Sequence, residues 1–115
     1  MQLIKRVFEF NDAVRYMAVY KNGVLEMQSR PGIEDASSSH SDEYEELLVN
    51  PTIIKLLSQR GNIDCGGLDY VIVRYGSFFQ YVQAIEGGHV SICLESDADV
   101  MAISRQLTSL IEQWA

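Results

Sequence analysis

The sequence predicts an α+β domain: a single five-stranded antiparallel sheet with flanking helices, in the order α-β-β-α-β-β-β-α. Three observations predict it. Two β-rich runs meet at Lys21-Asn22-Gly23, and Asn-Gly between such runs is a strong type I′ hairpin signal. Three more β-rich runs follow residue 67, joined by connections too short for anything but antiparallel neighbours. Residues 100–114 then carry an apolar stripe at helical spacing. A chain of 115 residues has the length of one domain and buries about two thirds of the surface it exposes when unfolded. At 47% hydrophobic and 22% charged residues it matches neither a disordered nor a fibrous composition, and no internal repeat is visible.

Taken along the chain, Leu3, Ile4, Val7 and Phe8 make a short amphipathic helix. Strands follow over 14–20 and 24–29. Residues 31–41, with Pro31, Gly32 and a run of serines, read as a solvated loop. A helix is expected from Asp42, because Asp42, Glu43, Glu45 and Glu46 suit the positive end of a helix dipole. Pro51 removes a helical hydrogen bond, so this helix is expected to be kinked or in two pieces, with Asn50 as the N-cap of the restart. Its end is expected at Arg60-Gly61, with glycine as the left-handed cap. Strands over 68–75, 78–85 and 90–95 come next, turning at Gly76-Ser77 and at Glu86-Gly87-Gly88-His89. In the last helix Ser96 and Asp99 form a capping-box variant. Val100, Ile103, Leu107, Leu110, Ile111 and Trp114 fall on its one apolar face.

No catalytic constellation is legible. His40 and His89 stand in a serine-rich and a glycine-rich setting, with no Cys, Asp or Glu at metal spacing, so no metal and no cofactor are expected. The pairs Gly66-Gly67 and Gly87-Gly88 fit neither a dinucleotide nor a Walker pattern and serve turns. Cys65 lacks any nucleophile signature, and Cys93 in Ser-Ile-Cys-Leu reads as a small buried hydrophobe. Two cysteines make no disulfide framework, which fits a reduced, cytoplasmic protein. A pI near 4.6 argues against nucleic-acid binding, and no apolar stretch approaches the ~20 residues of a membrane span.

Two features point to binding instead. The strand over 68–75 pairs on one side with 78–85, and nothing in the chain is evidently available for its other side. A long apolar edge is an aggregation hazard unless paired, so a symmetric edge-to-edge dimer is expected. The alternative is a profilin- or PAS-like small-ligand sensor with a pocket lined by Met17, Met27, Phe79 and Tyr81. A filled core is the plainer account of those four, since a ligand pocket also needs polar orienting groups.

The run from Asp12 through Val14, Tyr16, Val19, Lys21-Asn22-Gly23 and Val24-Leu25 resembles the opening of the roadblock / dynein light chain 7 domain. The likeness resumes at Tyr70-Val71-Ile72-Val73 and at Gly88-His89-Val90-Ser91-Ile92-Cys93-Leu94-Glu95, and with the last helix it covers almost the whole chain. The serine-rich insert and Pro51 depart from that pattern. The resemblance implies a non-enzymatic homodimer that binds a small Ras-like GTPase, as an activating partner or a scaffold. It would make Asp69, Tyr70, Val71, Ile72, Val73, Arg74 and Tyr75 the dimer edge. The helix over 42–60 would face the partner through Glu43, Glu46, Leu47, Asn50, Ile54 and Leu57.

Charge is concentrated on that same stretch. Of the net −7, residues 31–46 supply −6, with six acids and no Lys or Arg. Such a patch either steers a basic partner or merely solvates a loop and caps a helix.

Overall fold

The computed structural model describes residues 2–31 and 39–114. Most of the loop expected over 31–41 lies outside the described residues. Its last three positions, 39–41, are not loop but the first turn of a helix.

The elements are α1 (Gln2–Phe10), β1 (Val14–Lys21), β2 (Val24–Ser29), α2 (Ser39–Tyr44), a π-helical turn (Glu45–Val49), α3 (Asn50–Asp64), β3 (Val71–Arg74), β4 (Phe78–Ile85), β5 (Gly88–Glu95) and α4 (Val100–Trp114). The five strands form one sheet in the order β2-β1-β5-β4-β3, antiparallel throughout. The α+β layout is as expected. The β1–β2 and β4–β5 turns are both tight. Asn22 and Gly23 have φ of 53° and 82°, the left-handed pair that a type I′ turn requires. The β4–β5 turn is shorter than expected, so β5 already begins at Gly88, paired with Ile85.

The sheet has two unlike faces. Met17 and Val19 of β1, Val90, Ile92 and Leu94 of β5, and Tyr81 of β4 point to one side. There they bury against Leu3, Ile4 and Val7 of α1 and Ile103, Leu107 and Ile111 of α4. This is the main core, and each fully buried aliphatic side chain in it stabilises the fold by roughly 1.5–3 kcal/mol. Strand alternation sends the next residues to the opposite side: Tyr16 and Ala18, His89, Ser91 and Cys93, Gln80. That face is small and polar, and the α2–π–α3 segment crosses it.

Local details differ from the sequence expectation for identifiable reasons. The cap of α4 is Asp99, whose carboxylate accepts from the amide of Ala102 at 3.4 Å, rather than Ser96. Asn50 is not an N-cap: it lies inside the helical path at φ −64° and ψ −45°, its amide bonded to the Glu45 carbonyl in π spacing. Pro51 cannot donate to residue 47. The wide turn carries the chain past it, and the Thr52 hydroxyl donates to the Leu48 carbonyl at 2.6 Å. The helix then runs beyond Gly61 to Asp64. Gly61 is buried because the chain doubles back onto it: the amides of Cys65 and Gly67 both donate to its carbonyl, and a Cβ there would lie 3.0 Å from the Gly67 backbone. The left-handed positions are Gly66 and Gly67 instead.

Candidate functional site

The polar sheet face and the π turn meet at one carboxylate. Glu46 is fully buried, projecting from the turn onto β1 and β5. Its Oε2 accepts from the Tyr16 hydroxyl at 3.0 Å. Its Oε1 accepts from Asn50 Nδ2 at 3.0 Å and lies 2.7 Å from His89 Nε2, within hydrogen-bond distance. Asn50 and His89 are buried too. The start of α3, the first strand and the last strand are thus joined through one side chain. A buried charge is tolerated only with such partners. Burial, then the charge and hydrogen bond of Glu46, push the Tyr16 phenol well above its usual range, so it stays a donor.

Beside this network lies a pocket of about 100 Å³ between α2, the π turn and the sheet. Tyr16, Phe78, Gln80 and Cys93 form its floor, and Asp42, Glu45 and Glu46 its wall. Arg15, at the rim, pairs with Glu95 at 3.2 Å and stacks over Phe78. Tyr75 donates to both oxygens of Glu45, and burial with that acidic neighbour pushes the phenol up to about 12. Burial and then the nearby acids raise the Cys93 thiol well above the ordinary thiol range. At neutral pH it is protonated and no nucleophile.

Asp42 and Glu45 also hold their protons more tightly than ordinary carboxyls, chiefly through burial and, after it, the charge of Glu46 on Asp42. Each therefore costs the fold stability when ionised, and the cost vanishes as pH falls through the raised value. Asp42→Asn is expected to raise the melting temperature near neutral pH and to change it much less in the ordinary carboxylate range. Thermal melts of both proteins at the two pH values check this; an equal shift at both would contradict it.

The residues expected to face a partner separate into two sets. Glu43, Leu47 and Leu57 are exposed and Ile54 is half-buried, whereas Glu46 and Asn50 are fully buried against the sheet. The helix thus buries two polar side chains and leaves several large apolar ones outside. Outside are Leu47 (52% exposed), Leu48, Leu56 (60%), Leu57 and Ile63 (74%). Of the expected dimer edge, Val71, Ile72, Val73 and Arg74 form β3, one of the two edge strands of the sheet, while Asp69, Tyr70 and Tyr75 lie beyond its ends. The four residues of the expected sensor pocket do not converge. Met17 and Tyr81, with Phe79, belong to the main core, and Met27 packs on the opposite face. The pocket beside the π turn is well below the roughly 300–1,000 Å³ typical of sites for cofactor-sized ligands. Among the described residues no group of three His, Cys, Asp or Glu is placed to hold a metal, and no helix is long and apolar enough to cross a membrane. His89 in the network and Arg30 were missed. Arg30 donates to the carbonyls of Val14, Phe8 and Asn11 and so ties β2 to the α1–β1 connection.

No family model and no curated protein sequence matches the chain. Solved structures do. A Roadblock/LC7 domain from Streptomyces avermitilis superposes with a TM-score of 0.72 at 13% identity, covering 97% of this chain and 91% of that one. The gliding protein mglB from Thermus thermophilus superposes with a TM-score of 0.66 at 11% identity, covering 97% and 84%. The fold is roadblock-like, in agreement with the resemblance in the sequence.

Proposed function

We propose that this roadblock-like chain is a non-enzymatic cytoplasmic interaction module, a homodimer that regulates or scaffolds a small Ras-like GTPase or another protein partner. One observation carries the reading: the apolar exterior of this helix. Five large apolar side chains along the π turn and α3 face outward while Glu46 and Asn50 are bonded to each other and to the sheet within, which is the pattern of a helix covered by another protein. The outer edge of β3 belongs to the same sheet that the helix crosses, so a second copy can extend the sheet and cover part of the helix at once. The remaining apolar surface, with Glu43, Leu47, Ile54 and Leu57, serves the partner.

Light scattering at tens of micromolar is expected to report a dimer, and Ile72→Pro to yield a monomer, because the register with β4 turns the Ile72 amide toward the free edge and proline removes that donor. A monomeric wild-type protein would overturn the dimer. Capture of a purified small GTPase that fails equally with wild-type protein and with Leu47→Glu would overturn the GTPase as partner.

A further inference from the structure

We propose that the crest of the middle helix, the side turned away from the sheet, is a self-association surface that pairs antiparallel with the same crest of a second copy. This contact goes beyond the edge-to-edge dimer and does not depend on it. Tyr44, Leu48, Thr52 and Leu56 follow one another at spacings of four, and Ile63 lies seven beyond Leu56, so they form one row along the segment. All are exposed, the four large members each by more than half. Glu46, Asn50 and Gly61 are buried on the side that meets the rest of the chain, which puts the row opposite them. A neighbour that extends the sheet through β3 continues it in its own plane and lies beside the helix, so it leaves the crest open.

The occupant is read from the charge along the same segment. Residues 42–45 carry Asp42, Glu43 and Glu45 and no base, whereas residues 55–60 carry Lys55 and Arg60 and no acid. A basic partner would match the first stretch and be repelled by the second, and an anionic surface the reverse. A second copy laid antiparallel matches both at once, because each acidic end then meets the other's basic stretch in two contacts equal by symmetry. The two-fold axis falls at Thr52, with Leu48 four residues before it and Leu56 four after. Leu48 of each copy then faces Leu56 of the other, and Tyr44 and Glu45 of each face Arg60 of the other. Thr52 is the small residue at the crossing, and its hydroxyl is already bonded to the Leu48 carbonyl, so it needs no partner there. Arg60 is held by Asp64 of its own chain in an exposed pair that contributes little and can be exchanged.

One helix crest offers less than the 20–30 residues a side of a standard stable interface, so a dissociation constant on the order of a few hundred micromolar is expected. Sedimentation equilibrium from about 50 µM to about 1 mM brackets that value. The wild-type protein is expected to pass from dimer to tetramer over the range, Leu56→Glu to remain a dimer, and Ile72→Pro to pass from monomer to dimer. Arg60→Glu is expected to weaken the step about fivefold, because it sets an acid against each acidic end; a parallel pairing would instead be strengthened by it. Should the β3 dimer be absent, the wild type starts as a monomer and Leu56→Glu still abolishes its association, so the two contacts are told apart. A wild-type mass that does not rise with concentration would give the crest to a different protein and overturn the self-association. So would a step that Leu56→Glu leaves unchanged, or one that Arg60→Glu leaves unchanged or strengthens. Both substitutions are at exposed positions, and circular dichroism shows that the variants remain folded.

Discussion

Glu46→Ala is expected to lower the unfolding free energy by about 3 kcal/mol or more, since three buried polar groups lose their partner at about 1–3 kcal/mol each. The loss is large because the carboxylate serves three elements. Without it the Tyr16 hydroxyl, Asn50 Nδ2 and His89 Nε2 stay buried and lose their partner together. Asn50 is poorly placed to compensate, since its own side-chain oxygen already lacks a partner among the described residues. Glu46→Gln keeps the shape and one acceptor oxygen, so it is expected to lose less than the alanine. Urea unfolding followed by circular dichroism measures both; a loss below about 1 kcal/mol for the alanine would show that the network does not hold the helix to the sheet. Hydrogen exchange adds a spatial signature. Protection is expected to fall across the π turn and α3, because those elements reach the sheet through Glu46, and to persist in α1 and α4, whose contacts lie on the other face.

Gly88→Ala is expected to be at least as damaging, by a different route. A Cβ at this position would stand 1.7 Å from the Tyr20 carbonyl oxygen and 2.7 Å from its carbon. These are backbone atoms of the neighbouring strand, so no rotamer change relieves the overlap. Gly88 pairs with Lys21 on one side and Ile85 on the other, which places the clash where β1, β5 and β4 meet. Overpacking commonly costs about 1–3 kcal/mol, and here the upper end of that range or more is expected, since the β1–β5 pairing itself must open. Gly23→Ala provides the comparison: its Cβ meets nothing within 4 Å, so only the cost of a left-handed alanine remains. Similar melting temperatures for the two variants would contradict the close approach at Gly88.

Much of the architecture was legible because its signals are short-range. Asn22-Gly23 specifies its own turn, and the stripe from Val100 to Trp114 marks one helical face whatever it packs on. Alternation in β5 separates Val90, Ile92 and Leu94 from His89, Ser91 and Cys93 without reference to any other segment. The boundaries that shifted did so through contacts distant in sequence or competing locally. Gly61, read as a helix end, is a helix interior against which the following turn folds. The cap of α4 went to Asp99 because the turn after β5 runs on to Asp99 before the helix begins.

Turns, caps and apolar periods are properties of neighbouring residues, so the elements, their order and the roadblock-like layout could be read from the chain alone. Which face of the middle helix is buried could not. Periodicity groups Glu46 with Asn50 and separates them from Leu47 and Leu48, but it does not say which group turns inward, and an apolar core favours the leucines. The opposite holds because Tyr16 and His89, 30 and 43 residues away, converge on Glu46 and satisfy its charge. A polar stripe is cheap to bury only where its partners are already in place, and those partners become neighbours only when the sheet has formed.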